Sequence, residues 1–269
     1  MNNYQDWEHY HGRIVSARGG WKIGEGVQCC GYDMMEDLVG KKSYMQVVIL
    51  NATGRLPSKA LADWIEAIHI CLSWPDPRIW CNRIGALAGS ARTTAVAAST
   101  LGVLAADSKS YGIKPLISGV GFIQYAHKEI TKGISIDDFI INEVKKNGGK
   151  PYLMGYIRPI AKGDERIPAM EKVTKDLNFT IGKHLSLAYK IEEHLNKKFD
   201  ETMNVNGYVS AFLSDQGYSA EEVYRIFSSL VISGVTACYT DTRERVKGGF
   251  SPLKTSDVTY TGKAFRTVE

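Results

Sequence analysis

The sequence predicts a mostly α-helical protein, on the strength of two observations. Apolar residues recur at three- and four-residue spacing, as in Trp64, Ile65, Ile68 and Cys71, which is the period of an amphipathic helix. Strand-like alternation of apolar and polar residues is scarce, and no turn of the Asn-Gly type joins two such runs. We therefore expect helices along most of the chain and no β-hairpin.

Length, charge and cysteine content narrow the class of protein. The 269 residues suffice for one large domain or two closely packed ones. With 33 basic and 29 acidic residues the net charge is +4, which is too balanced to predict nucleic-acid binding. Five cysteines without metal-ligand spacing predict reduced thiols and no metal centre. The polar N-terminus and the lack of a long apolar run lead us to expect a cytoplasmic protein away from membranes.

Capping residues and prolines predict where individual helices begin and end. Ser58 is a suitable N-cap for a helix that ends before the Trp-Pro-Asp-Pro sequence at 74–77, because prolines interrupt helices. Small residues dominate 86–106, which predicts one long and deeply buried helix. Further helices are predicted over residues 33–38, 43–51, 115–128, 134–146, 167–177, 181–195 and 219–231.

Six short segments, in order along the chain, resemble the sequence pattern of the citrate synthase superfamily. They are GYDMMEDL at 31–38, GRLP at 54–57, KPLISG at 114–119, the segment 155–166, NVNG at 204–207 and the segment 234–245. The extent of the chain is closer to citryl-CoA lyase and to the C-terminal module of ATP-citrate lyase than to a full-length citrate synthase.

The resemblance implies a citrate-synthase-like, two-domain helical fold. Residues 1–125 and 215–269 would form the large domain and residues 126–214 the small one, with a ligand cleft between them. It also implies a homodimer, and as ligand a small carboxylate or a coenzyme A thioester.

Three of these segments lack the residue that the family uses in catalysis. Where the family usually has a His after Pro-Leu, a His after Gly and an Asp after Asn-Val, this chain has Ile117, Tyr156 and Asn206. Forming or cleaving a carbon–carbon bond beside a thioester needs a base and a donor for the developing oxyanion. An amide is no base, and a tyrosine with an ordinary pKa near ~10 is a poor one. Tyr156 and Asn206 are therefore predicted to act as hydrogen-bond donors in a repurposed site.

Basic residues remain in the segments that the family uses to bind substrate. Guanidinium groups bind carboxylates and phosphates through two parallel hydrogen bonds. Arg158 is predicted to complete the catalytic set by binding a substrate anion. Lys162 and Arg166 are predicted to contact coenzyme A phosphates. The predicted carboxylate-binding residues are Arg243 and Arg245.

The alternative for these basic residues is ion pairing at the surface. Acidic neighbours stand close to all of them in the sequence, namely Asp164, Glu165, Asp241 and Glu244. Asp241 and Glu244 are also possible replacement bases, although paired carboxylates are the simpler interpretation.

Other polar residues have structural explanations. Cys238 stands where the closing segment of the family has a His, but its apolar neighbours favour a buried and inert thiol. His69 lies on an apolar helix and is expected in the core. Charged neighbours place the remaining candidates, His127, His184 and His194, at the surface.

Three functions stay open on the sequence alone. The first is an enzyme of citrate-synthase architecture with repurposed chemistry on a carboxylate or thioester. The second is a non-catalytic homologue that binds a ligand or supports a partner. The third is an ordinary citryl-CoA lyase whose catalytic residues lie elsewhere in the chain.

Overall fold

The computed structural model describes Glu8 and residues 11–12, 14–109, 111–158, 162–245 and 254–268. In these residues the fold is built mainly of α-helices, as the sequence predicts. The helices are α1 (Tyr44–Thr53), α2 (Lys59–Leu72), α3 (Trp80–Ser90), α4 (Ala95–Ala106), α5 (Lys114–Thr131), α6 (Ile136–Lys146), α7 (Arg166–Asp176), α8 (Lys183–Phe199), α9 (Val205–Asp215), α10 (Ala220–Ile226) and α11 (Ile232–Glu244).

A small antiparallel sheet precedes the helices, so the expectation that the chain forms no hairpin is wrong. Its strands are β1 (Gly19–Lys22), β2 (Gly26–Cys29) and β3 (Tyr32–Asp33), paired in that order. The whole of β1 is exposed, so the strand carries no buried face that would leave an alternating pattern. A π-helical turn over Met34–Leu38 follows, and the Asp33 side chain caps it.

Serine caps define the first helices as predicted. The Ser43 side chain accepts a hydrogen bond from Gln46 N at the start of α1, and the Gln46 side-chain oxygen accepts one from Ser43 N. Ser58 caps α2 through Leu61 N. Helix α2 ends at Leu72, before the prolines, as expected from their missing backbone donors.

The main core centres on Trp64 of α2. Its indole stacks on Phe212 with ring centroids 3.8 Å apart, and its Nε1–H donates to Thr174 Oγ1 at 2.8 Å. One continuous cluster of buried residues joins Met45 near the N-terminus to Phe227 near the C-terminus. The cluster crosses the predicted domain limits at 126 and 214, and that division stays a prediction.

Helices α3, α4 and α11 form a second, closely packed layer. A Cβ on Gly85 would lie 2.7 Å from Val235 O, and one on Gly89 would lie 2.4 Å from Tyr239 O. Glycine is therefore needed where α3 approaches α11. The prediction of one helix over 86–106 is wrong, because the chain turns between α3 and α4 with Arg92 at φ 63°. Helix α4 is also not deeply buried, since Val96 is 77% exposed.

The burial of the histidines differs in part from the sequence prediction. His69 packs at the edge of the core, with its ring stacked on Phe227 at 4.9 Å. His184, expected at the surface, is buried because its Nδ1 contacts Asp215 Oδ1 at 2.9 Å. Two backbone N–H groups at the start of α8 donate to the same carboxylate, which fixes the pair inside the fold.

Candidate cleft site

A buried carboxylate organises the segment that carries most of the predicted site residues. Asp164 Oδ1 and Oδ2 accept from Nε and Nη2 of Arg166, each at 2.7 Å. Asp164 Oδ2 also accepts from Val205 N at the start of α9, at 2.8 Å. Burial by itself raises the pKa of the Asp164 carboxyl, but these hydrogen bonds outweigh it and leave the pKa below its ordinary value. The Arg166 guanidinium is thus held by a buried carboxylate whose lowered pKa favours its charged form.

Arg158 has a different kind of partner. Its side chain is 15% exposed and donates through both Nη groups to Glu165, whose side chain is 60% exposed. Arg158 Nη1 also donates to Gly163 O at 3.1 Å. The hydrogen bonds from Arg158 lower the pKa of Glu165 to about 2. A half-buried guanidinium therefore holds a carboxylate that is free to move into solvent.

Aromatic side chains stand beside these arginines. The Arg166 guanidinium lies 6.0 Å from the centre of the Trp74 ring, and Trp80 meets Tyr111 edge-on at 6.4 Å. Burial raises the pKa of Tyr111, with a contribution from Cys81, while the charges of Arg166 and Arg158 act in the opposite direction. The phenol therefore lies within electrostatic reach of both guanidinium groups.

Hydrogen bonds from α3 and α11 hold the loop that carries Trp74. Asn82 Nδ2 donates to Trp74 O at 2.8 Å and to Asp76 O at 3.1 Å. Gly234 N, in the first turn of α11, donates to Ser73 Oγ at 2.9 Å. A Cβ on Gly234 would lie only 2.6 Å from Trp74 O. The loop is thus held between α3 and α11, with the Trp74 ring beside the Arg166 guanidinium.

Tyr156 lies inside the core and not at an open surface. It is 1% exposed, its hydroxyl donates to Ala188 O at 3.1 Å, and Phe122 packs against its ring at 6.1 Å. Burial raises its pKa far above the ordinary value, with a smaller contribution from Glu192. The only hydroxyl hydrogen is committed to the backbone, so we leave Tyr156 out of the proposed site.

Asn206 joins two of the segments on which the family resemblance rests. Its Nδ2 donates to Pro115 O at 2.9 Å, and its Oδ1 accepts from Ser210 Oγ at 3.0 Å. A Cβ on Gly119 would lie 2.7 Å from Asn206 Oδ1. The amide therefore clamps the start of α5 to α9. Ile117, half-buried beside it on α5, adds no polar group.

The other predicted anion-binding residues are paired or lie apart from Arg158. Lys162 forms an ion pair with Asp200, and both side chains are exposed. Arg245 pairs with Asp241 at 2.6 Å on the last turn of α11. The backbone carbonyl of Arg243 accepts a hydrogen bond from Arg92. Arg158, Arg166 and Arg245 thus all form ion pairs with the acidic neighbours that the sequence offered as the alternative, although the partner of Arg166 is buried.

The sequence did not indicate Tyr111 as a site residue, and it did not predict that Asp164 and Glu165 differ in burial. Tyr111 belongs to no recognisable motif, and only the turn at Gly112, with φ 92°, brings it towards Trp80. Asp164 and Glu165 are adjacent in sequence, yet one is buried and the other exposed. A residue's neighbours in the chain carry no signal for that difference.

Cys238 is buried, and burial raises the pKa of its thiol, with Asp241 and Asp76 adding to the rise. In the part of the chain that the structure describes, no group of three or more His, Cys, Asp or Glu side chains is placed to hold a metal ion. No described helix combines the length and apolarity needed to cross a bilayer.

Comparison with known proteins finds similarity in structure but not in sequence. No protein-family model matches the chain, and no curated protein matches it. Citryl-CoA lyase from Hydrogenobacter thermophilus superposes with a TM-score of 0.80 at 22% identity, over 95% of this chain and 97% of that one. ATP citrate lyase from Methanothrix soehngenii, in complex with citrate and coenzyme A, gives 0.77 at 17% identity, over 98% of this chain and 45% of that one.

A citrate synthase is also similar, over a smaller part of the chain. The enzyme from Thermoplasma acidophilum, in ternary complex with carboxymethyl coenzyme A and oxaloacetate, gives a TM-score of 0.58 at 17% identity, over 84% of this chain and 58% of that one. The chain thus has the helical fold of the citrate synthases. Its extent is that of the short form seen in citryl-CoA lyase, and it spans about half of ATP citrate lyase. At the level of fold the resemblance predicted from the six segments is confirmed.

Proposed function

We propose that this protein binds a carboxylate or an acyl-coenzyme A thioester beside Arg158 and forms or cleaves a carbon–carbon bond there, by chemistry repurposed from the citrate synthase fold. The observation that carries the proposal is the contrast between two neighbouring ion pairs. Arg166 is held by the buried Asp164, whereas Arg158 is held by the exposed Glu165. Of the two acids, only Glu165 can turn into solvent when a ligand takes its place.

The Arg158 pair suits exchange with a substrate carboxylate. Glu165 occupies both arms of the guanidinium fork, as an incoming carboxylate would. When a ligand carboxylate takes that place, Glu165, whose side chain is 60% exposed, turns into water. Arg158 stays half-buried, so its interaction with the ligand is screened less than one at an open surface.

Two aromatic residues supply further contacts for the ligand. The Trp80 Nε1–H is buried and has no hydrogen-bond partner among the residues that the structure describes. A buried unpaired donor is uncommon in proteins, and an oxygen of the bound ligand would satisfy it. Trp74, 39% exposed, offers a flat apolar surface next to the arginines for the acyl portion.

A coenzyme A thioester is the finer part of the proposal. Lys162 is exposed and paired only with the exposed Asp200, so it can turn towards a phosphate group. Arg166 is bound twice by Asp164, and we assign it to holding the segment and not to phosphate binding.

A second candidate function, ligand binding without catalysis, is favoured by Asn206. Its amide is satisfied on both sides by Pro115 O and Ser210 Oγ, so this position offers neither a base nor a free donor. Under this alternative Arg158 still binds the anion. Ordinary citryl-CoA cleavage is the third candidate and is tested with citryl-CoA as substrate.

A homodimer is proposed from the exposed apolar face of the α3–α4 layer. Leu87 of α3 is 58% exposed, and on α4 Val96 is 77% and Leu104 is 67% exposed. Exposed apolar patches of this kind mark protein–protein contacts. Light scattering after size exclusion should give twice the chain mass, and Leu104→Glu should give the monomer. A monomeric wild-type protein would contradict this proposal.

Calorimetric titration with coenzyme A, acetyl-coenzyme A, citrate and oxaloacetate tests the proposed function. We expect binding of a thioester or carboxylate that Arg158→Ala weakens at least about tenfold, the cost of a lost charge-assisted pair. Glu165→Gln should strengthen binding, because it removes the internal competitor. Lys132→Ala is the control, since Lys132 also pairs with a glutamate, Glu129, in an ion pair on α5 and its C-cap.

Each outcome decides between the candidates. Binding that is lost with Arg158, together with turnover in condensation or citryl-CoA cleavage assays, supports an enzyme. Binding without turnover supports the non-catalytic alternative. No binding of any of the four ligands by the folded protein overturns the proposal.

A further inference from the structure

A second polar pocket lies away from the Arg158 segment, where α1 meets the end of α10. It has a volume of about 500 Å³. Arg18 and Arg225 line it together with the hydroxyls of Tyr44, Ser228 and Ser229. Among the described residues that line it there is no carboxylate, and the acid paired with the lining is Glu221, which Arg225 binds.

Arg18 is placed by the backbone and left without a partner. Its guanidinium rests against Gly54, where a Cβ would lie 2.5 Å from Nη1. Gly54 ends α1 with φ 79°, a conformation that glycine adopts readily. The Arg18 side chain forms no hydrogen bond or ion pair with any residue that the structure describes, and its five donors therefore remain available.

The remaining lining groups are also uncommitted donors. Arg225 bonds Glu221 through Nε at 3.2 Å, which leaves both of its Nη groups available. Ser228 and Ser229 are exposed, and within the described chain their side chains make no hydrogen bonds. The other nearby acid, Glu222, is taken by Arg55 at 2.8 Å. Both acidic residues of α10 are thus in ion pairs, Glu221 with Arg225 of the lining and Glu222 with Arg55.

We infer that this pocket binds a phosphate group, either free or as a phosphomonoester. Two guanidinium forks and several hydroxyls converging without a carboxylate match the charge and the acceptor oxygens of a phosphate dianion. A neutral ligand would leave two like charges facing each other across the pocket. The site requires none of the Arg158 chemistry, so the inference stands or falls separately from the proposed function.

Calorimetric titration of the full chain with inorganic phosphate, adenosine 3′,5′-bisphosphate and coenzyme A tests the inference. We expect Arg18→Gln and Arg225→Gln each to weaken phosphate-group binding at least about tenfold, one lost charge-assisted contact each. Arg18→Lys keeps the charge without the fork and should give a smaller loss. Lys145→Gln, an exposed charge on α6, controls for net charge.

The three probes also separate the sources of the phosphate. Similar affinity for all three assigns the pocket to phosphate itself, whereas much tighter binding of the bisphosphate and of coenzyme A assigns it to a nucleotide phosphate. Thermal melting of each variant confirms that it is folded. If wild-type protein binds none of the probes at millimolar concentration, or if Arg18→Gln and Arg225→Gln bind as wild type does, the inference is wrong.

Discussion

The Asp164 carboxylate accepts two hydrogen bonds of 2.7 Å from the Arg166 guanidinium, and the Asp164 side chain is completely buried. Because Val205 N donates to the same carboxylate at 2.8 Å, the pair ties the segment before α7 to the first turn of α9. Arg166, which the sequence predicts as a phosphate ligand, therefore helps to link these two segments through Asp164. The neighbouring Arg158 is the one whose partner can leave.

Removing the Asp164 carboxylate should destabilise the fold. Asp164→Ala leaves a guanidinium and a backbone N–H without their acceptor, and we expect a loss of about 3 kcal/mol in the free energy of unfolding, as for other broken buried pairs. Asp241→Ala is the control, because Asp241 and Arg245 are both largely exposed, and it should cost less than about 0.5 kcal/mol. Urea denaturation measures both values, and equal effects would contradict the assignment.

The Tyr156 hydroxyl should matter for stability and not for ligand binding. Tyr156→Phe removes the hydrogen bond to Ala188 O while keeping the ring in place, and we expect a loss of about 1 kcal/mol. Affinity for any thioester or carboxylate that the wild-type protein binds should stay within twofold, by the same calorimetry. A large fall in affinity in a variant of nearly normal stability would return Tyr156 to the binding site.

Restoring a carboxylate at position 206 should destabilise the protein at neutral pH. In Asn206→Asp an ionised carboxylate faces Pro115 O in place of the donating amide, and we expect a cost of about 2 kcal/mol. The deficit should shrink as the pH falls, because a protonated carboxyl can donate to that carbonyl again. Denaturation at pH 7 and pH 4 measures the difference between the two conditions.

Asn147→Asp is the matched control for this substitution. Asn147 Nδ2 also donates to a carbonyl, Tyr152 O, at 2.8 Å, but in an exposed turn. Water can replace that bond, so the control should lose less than about 0.5 kcal/mol. If the two variants behave alike, Asn206 is not the clamp that its contacts indicate.

His69 should make the protein sensitive to mild acid. Burial lowers its pKa, although its bond to Ile65 O and the charge of Glu66 act against the shift. The folded state therefore binds the proton less readily than the unfolded chain. Stability is then fully present above the unfolded pKa, near ~6.5, and declines as the pH falls from there towards the lower folded pKa.

Melting temperatures between pH 8 and pH 5 test this linkage. His69→Gln should flatten the decline relative to wild type. His194→Gln is the control, since the His194 side chain is 33% exposed, and it should leave the slope unchanged. His127 also has a pKa lowered by burial and by His184, so a residual slope is expected in His69→Gln. An unchanged slope in His69→Gln would contradict the prediction.

Much of the secondary structure was predictable because its signals are local. Ser43 and Ser58 cap their helices through residues three positions away, and the prolines after Trp74 end α2. The break after α3 carries a signal of the same kind, because Thr94 caps α4 through Ala97 N, but the small residues on both sides of it led to the prediction of one helix. The turn at Arg92 is imposed where α3 and α4 both pack on α11.

The sequence indicated which segments contribute to the candidate site, but not which of their side chains are buried or paired. The segments 114–119 and 204–207 do meet, through Asn206 and Pro115, as their motif order implied. Whether an arginine is available depends on the burial of its partner, and Asp164 and Glu165 are chemically alike and adjacent in sequence. Tyr111 left no pattern, since a lone aromatic in a loop has no periodicity.

The sequence by itself determined that the chain is helical and that it has the fold of the citrate synthases, because periodicity, caps and short motifs are properties of neighbouring residues. Only the tertiary structure decided that Tyr156 is a core residue, that Arg166 pairs with a buried acid and Arg158 with an exposed one, and that Arg18 and Arg225 line one pocket. Those outcomes depend on burial and on contacts between residues far apart in the chain, which set the cost of breaking each hydrogen bond.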